Sequence, residues 1–257
     1  MKLETVAIRG RTQHLSALRY LPSRNRRGIA LVLAHGFTSG KYSMDTLASY
    51  LAMRGYEGLT FDFVGHKLGG SGGSMETMAQ APDNFADALA YLRSVTEAES
   101  IVLIGHSMGA AAALATAAWE ITKLASPALI GKEVMPEVEG PPLAGIVCLC
   151  MGMEPSRGFD SAIGQAMVEQ RSDYVEGAPA LQLLREIDDL IAAAGQIGSL
   201  PALFVAARQD VLVTVERVER LAAMAPNSAV EMIESSHLEA PDRARPVIYS
   251  WLTQLGG

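Results

Sequence analysis

The feature that most restricts the fold of this chain is an alternation that begins at Ile29. Short apolar runs, among them Ile29–Ala34, Ser100–Ile104, Gly145–Met151 and Ala202–Ala207, are separated by stretches with helical spacing. Such a run has no polar face, so a strand made of it must be covered on both sides. Strands covered on both sides and joined through helices form a mostly parallel sheet between two helical layers. The expected fold class is therefore α/β.

The remaining elements fit this frame. Leu3–Ile8 and His14–Leu21 read as two antiparallel strands with a turn at Gly10, and Glu57–Phe63 and Ala229–Ile233 as further strands. Helices are expected over Ser43–Arg54, from an Asp83 N-cap to Val95, over Ser107–Trp119 and Thr214–Met224, and over Pro241–Leu255. Val64–Ser74 is Gly-rich and reads as loop, and Ile121–Leu143, with four prolines, as irregular. Glu154–Leu200 is much longer than a crossover needs. It carries two helical patterns, Phe159–Gln170 and Ala178–Ala194, and reads as a helical cap over the carboxyl edge of the sheet. The expected organisation is a core of residues 1–153 and 201–257 interrupted by a cap of residues 154–200.

Composition narrows the function classes. Of 257 residues, 49% are hydrophobic and 19% charged, enough for a sizeable core. The net charge of −7 opposes binding to phosphate backbones, so nucleic acid is not an expected partner. Met1–Gly10 lacks the pattern of a secretory signal, and no apolar run reaches membrane-spanning length, so a cytoplasmic chain without a membrane partner is expected. Cys148 and Cys150, the two cysteines, are expected on one face of a strand as buried, inert thiols. No metal-ligand spacing is visible around them.

The chemistry is concentrated in Gly105-His106-Ser107-Met108-Gly109. Alone, Gly-x-Ser-x-Gly is moderately specific. Here it lies between an apolar strand and an Ala-rich helix. A sharp strand-to-helix turn lifts its central hydroxyl above the sheet, at a helix N-terminus that favours developing negative charge. Ser107 is thus the candidate nucleophile, supported by Gly105 and Gly109. A serine needs a base. His237, in the loop after Ala229–Ile233, is that candidate, while the His106 side chain is expected to point away. Asp210, after Ala202–Ala207, is the candidate acid, in competition with Glu154; Asp188 and Asp189 are expected to be solvated. The order Ser107, Asp210, His237 matches one known chain order of such triads. Oxyanion donors are expected from the backbone N–H of Met108 and of Phe37, the latter presented by a tight turn at Gly36 and braced by His35.

These motifs resemble the α/β-hydrolase superfamily, in particular its esterase, lipase and acylaminopeptidase-like branch with a small cap. Leu33-Ala34-His35-Gly36-Phe37 is similar to that branch's oxyanion loop, Arg208-Gln209-Asp210 to its acid loop and Ser236-His237 to its histidine loop. The likeness extends over essentially the whole chain. It implies an eight-stranded, mostly parallel sheet with the cap after the sixth strand, and cleavage of a small-molecule acyl ester without a metal or organic cofactor. Thioesterase, amidase and acyltransferase chemistry use the same triad, and some members of the fold are ligand receptors without catalysis. One segment departs from the family. Gly65-His66-Lys67-Leu68-Gly69-Gly70-Ser71-Gly72 is longer and more basic than the usual Gly-His-Gly-x-Ser loop, and His66 is expected either to brace it or to approach the substrate. Met151, Met153, Ile163, Met167 and Leu181 suggest an apolar acyl pocket.

Overall fold

The computed structural model describes residues 1–10, 13–122 and 139–256, so most of the irregular stretch predicted over Ile121–Leu143 lies outside the described residues. Eight strands form one sheet: β1 (Lys2–Arg9), β2 (His14–Leu21), β3 (Ile29–Ala34), β4 (Glu57–Phe61), β5 (Ser100–His106), β6 (Leu143–Leu149), β7 (Ala202–Ala207) and β8 (Ser228–Ile233). Their spatial order is β1-β2-β4-β3-β5-β6-β7-β8. The β1/β2 and β2/β4 pairs are antiparallel, and β4 through β8 pair in parallel. The expected eight-stranded, mostly parallel sheet is thus observed.

Alternation along each central strand divides the core. Ala30, Val32 and Ala34 of β3, with Ile101 and Leu103 of β5, face one apolar layer. Ile29, Leu31 and Leu33, with Val102 and Ile104, face the other. The first layer is covered by α2 (Gln80–Val95), α3 (Met108–Thr122) and α6 (Val215–Ala222). The second is covered by α1 (Asp45–Ala52), α7 (Ala240–Arg243) and α8 (Arg245–Leu255). Residues Met108–Trp119 of α3 are all buried. Its alanines let the backbone come close to the sheet, which anchors the N-terminus beside Ser107.

Local boundaries moved for identifiable reasons. Helix α2 starts at Gln80, not at an Asp83 cap. Pro82 fits in the first turn because the N–H it lacks has no helical partner there, and Asp83 then lies in that turn at the positive end of the helix. The closing helix is broken at Ala244 into α7 and α8, where Pro246 restarts it without a donor. The two cysteines do not share a face. Cys148 joins the first layer, but β6 ends at Leu149, and Cys150, at φ 52°, turns into the second.

Between β6 and β7 lie α4 (Ala162–Arg171) and α5 (Ala180–Ile191), as the two helical patterns foretold. Backbone hydrogen bonds tie this segment to the loop after β4: Lys67 to Tyr174, Met75 to Glu176, Glu176 to Gly65 and Ala178 to Met75, at 2.8–3.0 Å. The long loop is therefore built as a clasp. Beneath it, the buried Asp62 carboxylate accepts from Lys41 Nζ at 2.5 Å, Lys41 N at 2.6 Å and Gly70 N at 2.7 Å. Of the two carboxylates expected to be solvated, Asp189 is exposed, whereas Asp188 is half-buried and accepts from the Ser156 backbone N–H and hydroxyl. Among the described residues no helix is long and apolar enough to cross a membrane.

Candidate active site

The sheet reverses its strand order between β3 and β5, so the loops leaving these two strands diverge from one crevice at their carboxyl ends. Ser107 follows β5 directly and has φ 53°, a left-handed conformation that costs on the order of 1–3 kcal/mol for a residue with a Cβ. Its N–H donates to Leu149 O at 2.9 Å, and its carbonyl accepts from Ala110 and Ala111, opening α3. Glycine is required on both sides. A Cβ on Gly105 would lie 2.2 Å from Gly109 O, and one on Gly109 would lie 2.5 Å from Ala34 O. The strained serine is thus held by backbone packed against backbone.

Ser107 and His237 line one pocket together with Gly36, Phe37 and His106. His237 and Asp210 are both buried, and His237 Nδ1 lies 2.6 Å from Asp210 Oδ2. The other carboxylate oxygen, Oδ1, accepts from the N–H groups of Leu212 at 2.8 Å and Val213 at 2.9 Å. Burial works to raise the Asp210 carboxyl. The His237 hydrogen bond, the His237 charge and these two N–H groups outweigh it and hold the group below its ordinary value. With Asp210 ionised, Nδ1 of His237 carries the proton and Nε2 is left as the basic nitrogen. Glu154, the competing acid, pairs instead with Arg157 at 2.9 Å and Arg220 at 3.7 Å.

The His106 side chain does not point away from the site. Its Nε2 donates to the His237 carbonyl at 2.9 Å, and the two rings lie 5.0 Å apart. Burial, with His237 beside it, brings its pKa down to about 3, so it acts as a neutral strut for the loop that carries His237. Only the proximity of β5 to the β8 loop reveals this role; the elbow motif leaves that position open. His35 braces as expected. Its Nδ1 donates to Gly36 O at 2.8 Å, and its Nε2 accepts from Phe63 N at 3.2 Å. Burial first, and the neighbouring His66 second, hold it well below the ordinary histidine value. His66 is a second brace. It lies edge-on to Phe37 at 5.7 Å, donates from Nδ1 to Val64 O at 3.1 Å, and is not among the pocket-lining residues. Burial lowers its pKa to about 4.

His106, Cys150 and His237 also bring one ligand atom each within 4.8 Å of one another. The histidines are already committed, His106 Nε2 to a carbonyl and His237 Nδ1 to Asp210, so the cluster is a hydrogen-bonded one. Cys150 interacts with Asp210, and burial first, with that carboxylate second, keeps its thiol well above the ordinary range.

Of the residues predicted to make an apolar pocket, Met167 lines it, with Phe159, Val168, Leu184, Leu212 and Leu238. Met151 is buried in the core and Met153 packs against it. Ile163 and Leu181 are 60% and 43% exposed and face away. Helical spacing alone could not tell which turns of the two helices face Ser107. The pocket volume is about 90 Å³.

The profile of the alpha/beta hydrolase family matches residues 31–247. The esterase Pf2001 of Pyrococcus furiosus has a similar structure, with TM-score 0.72 and 19% identity over 100% of this chain and 92% of that one. Est1E of Butyrivibrio proteoclasticus, solved with ferulic acid bound, superposes with TM-score 0.72 and 16% identity over 97% of this chain and 98% of that one. The thioesterase domain of the curacin biosynthetic pathway does so with TM-score 0.63 and 14% identity over 98% and 100%. At such identities the likeness concerns the fold. Among curated proteins, no sequence matches the chain.

Proposed function

Since this chain belongs to the alpha/beta hydrolase family, we propose that it is a serine hydrolase that cleaves a small carboxylic ester through an acyl-enzyme. The observation that carries the reading is His237, bonded at Nδ1 to Asp210 at 2.6 Å while sharing a pocket with the strained Ser107. Esterases among the structural neighbours agree with it.

In this reading Ser107 Oγ attacks the ester carbonyl carbon and passes its proton to His237 Nε2. Asp210 stabilises the imidazolium and keeps its orientation. The oxyanion takes hydrogen bonds from the N–H groups of Phe37 and Met108, the second at the positive end of α3. The C–O bond then breaks as His237 gives its proton to the leaving alcohol. Water next loses a proton to His237 and adds to the acyl carbon, and the acid departs as Ser107 recovers its proton. No step draws on a metal or organic cofactor.

Residues 154–200 act as the cap over a core formed by 1–153 and 201–257. The cavity is well below the roughly 300–1,000 Å³ of pockets that enclose a drug-sized ligand, which favours short acyl and alcohol groups over long chains. Thioesters suit the same apparatus, and a thioesterase domain shares the fold.

The test is turnover of short-chain p-nitrophenyl esters together with labelling by a fluorophosphonate. Both are expected in the native protein and absent from Ser107→Ala. Full activity in Ser107→Ala would overturn the assignment, and failure of the native protein to label would favour a receptor.

A further inference from the structure

The pocket over Ser107 is apolar on most of its wall, but one lining side chain carries a permanent charge. Arg171, the last residue of α4, stands there with Phe159, Met167, Val168 and Leu184. Three nearby arginines outside the pocket are paired: Arg157 with Glu154 at 2.9 Å, Arg208 with Glu234 at 3.1 Å and Arg220 with Glu154 at 3.7 Å. Among the described residues Arg171 has no carboxylate partner. Its guanidinium lies 5.6 Å from the Tyr174 ring centroid, a contact that supports the cation without neutralising it. Glu176, further along the same segment, is taken by Lys67 at 2.9 Å.

Arg171 is half-buried at the edge of an apolar wall, so its guanidinium keeps part of its hydration and an unmatched charge. Its planar fork of N–H donors fits a carboxylate in two parallel hydrogen bonds, and the apolar surroundings strengthen that pair. The chain as a whole is acidic, with a net charge of −7, so its long-range field would repel an anion. A local cation in the pocket is what such a protein needs to admit one.

We infer that the ester cleaved at Ser107 is a small one that carries a carboxylate on one of its halves, and that Arg171 binds this carboxylate while the carbonyl is presented to Ser107. The inference rests on Ser107 being the nucleophile. Arg171 is then the specificity-determining residue, and its contribution lies in binding the anion.

The experiment compares two matched pairs of esters. On the acyl side, mono-p-nitrophenyl glutarate is set against p-nitrophenyl pentanoate. On the alcohol side, 4-(carboxymethyl)phenyl acetate is set against 4-methylphenyl acetate. Active enzyme is counted by fluorophosphonate labelling. The native protein is expected to favour the anionic member of one pair at least tenfold in kcat/KM, mostly through KM, and the favoured pair shows which half carries the charge. Arg171→Met should bring that ratio close to one, Arg171→Lys should retain part of it, and added salt should erode it. If neutral esters turn over and Ser107 labels but neither anionic ester is preferred, the inference fails while the hydrolase reading stands. A preference that survives Arg171→Met also overturns it. If nothing turns over and Ser107 does not label, the hydrolase reading fails and takes this inference with it.

Discussion

Acid should unfold this protein through its buried histidines. His35, His66 and His106 are all buried, and each has its pKa lowered, His66 to about 4 and His106 to about 3. In the unfolded chain each titrates near 6.5. Above that value both states are neutral at these sites and stability is fully present. As pH falls below 6.5 the unfolded chain takes up protons that the folded one refuses. Stability is therefore lost progressively toward about 4 for His66 and about 3 for His106. Each group costs about 1.4 kcal/mol per pH unit in this window, and three together about 4 kcal/mol per unit. Two units remove roughly 8 kcal/mol, most of the 5–15 kcal/mol that holds a typical domain. Asp210 adds nothing there, because its carboxyl is ionised in both states until pH falls below its ordinary value. The assay is urea unfolding followed by tryptophan fluorescence, in half-unit steps from about pH 7 to about pH 5. His66→Gln removes one titrating site while leaving an amide that can reach Val64 O, and should cut the slope by about a third. A flat profile in the native protein, or an unchanged slope in His66→Gln, would refute the reasoning.

Two further outcomes follow from the site and its support. Asp210→Asn keeps acceptors for Leu212 and Val213 but no longer enforces the His237 tautomer, so kcat on p-nitrophenyl esters should fall on the order of 10⁴-fold while the urea midpoint moves little. Lys41→Met leaves the buried Asp62 charge without its ammonium partner. It should cost about 3–5 kcal/mol in urea unfolding, with labelling of Ser107 retained under native conditions.

Much of the molecule was legible along the chain because the information is local. A strand covered on both faces can contain only apolar residues, so β3, β5, β6 and β7 announced themselves, and with them the parallel sheet. The turn around Ser107 leaves no room for a Cβ at Gly105 or Gly109, and this steric demand is written directly as glycine. Loop placement after β7 and β8 marked Asp210 and His237, and their carboxylate–imidazole bond agrees with that placement. Their catalytic roles follow from the proposed reaction.

Other features required distant segments to meet. Nothing in the elbow shows that His106 holds the His237 carbonyl, since 131 residues separate the two. The faces of Cys148 and Cys150 depended on where β6 stopped and on one left-handed residue. In the helical segment, periodicity identified α4 and α5 but not their rotation about their own axes, which decides that Met167 and Arg171 face the pocket while Ile163 and Leu181 face solvent. By itself the sequence determined the sheet, the elbow and the residues offered as a triad, because each is set by steric and hydrophobic rules acting within a few positions. The tertiary structure alone decided which side chains surround Ser107, because that depends on how separate elements pack against one another.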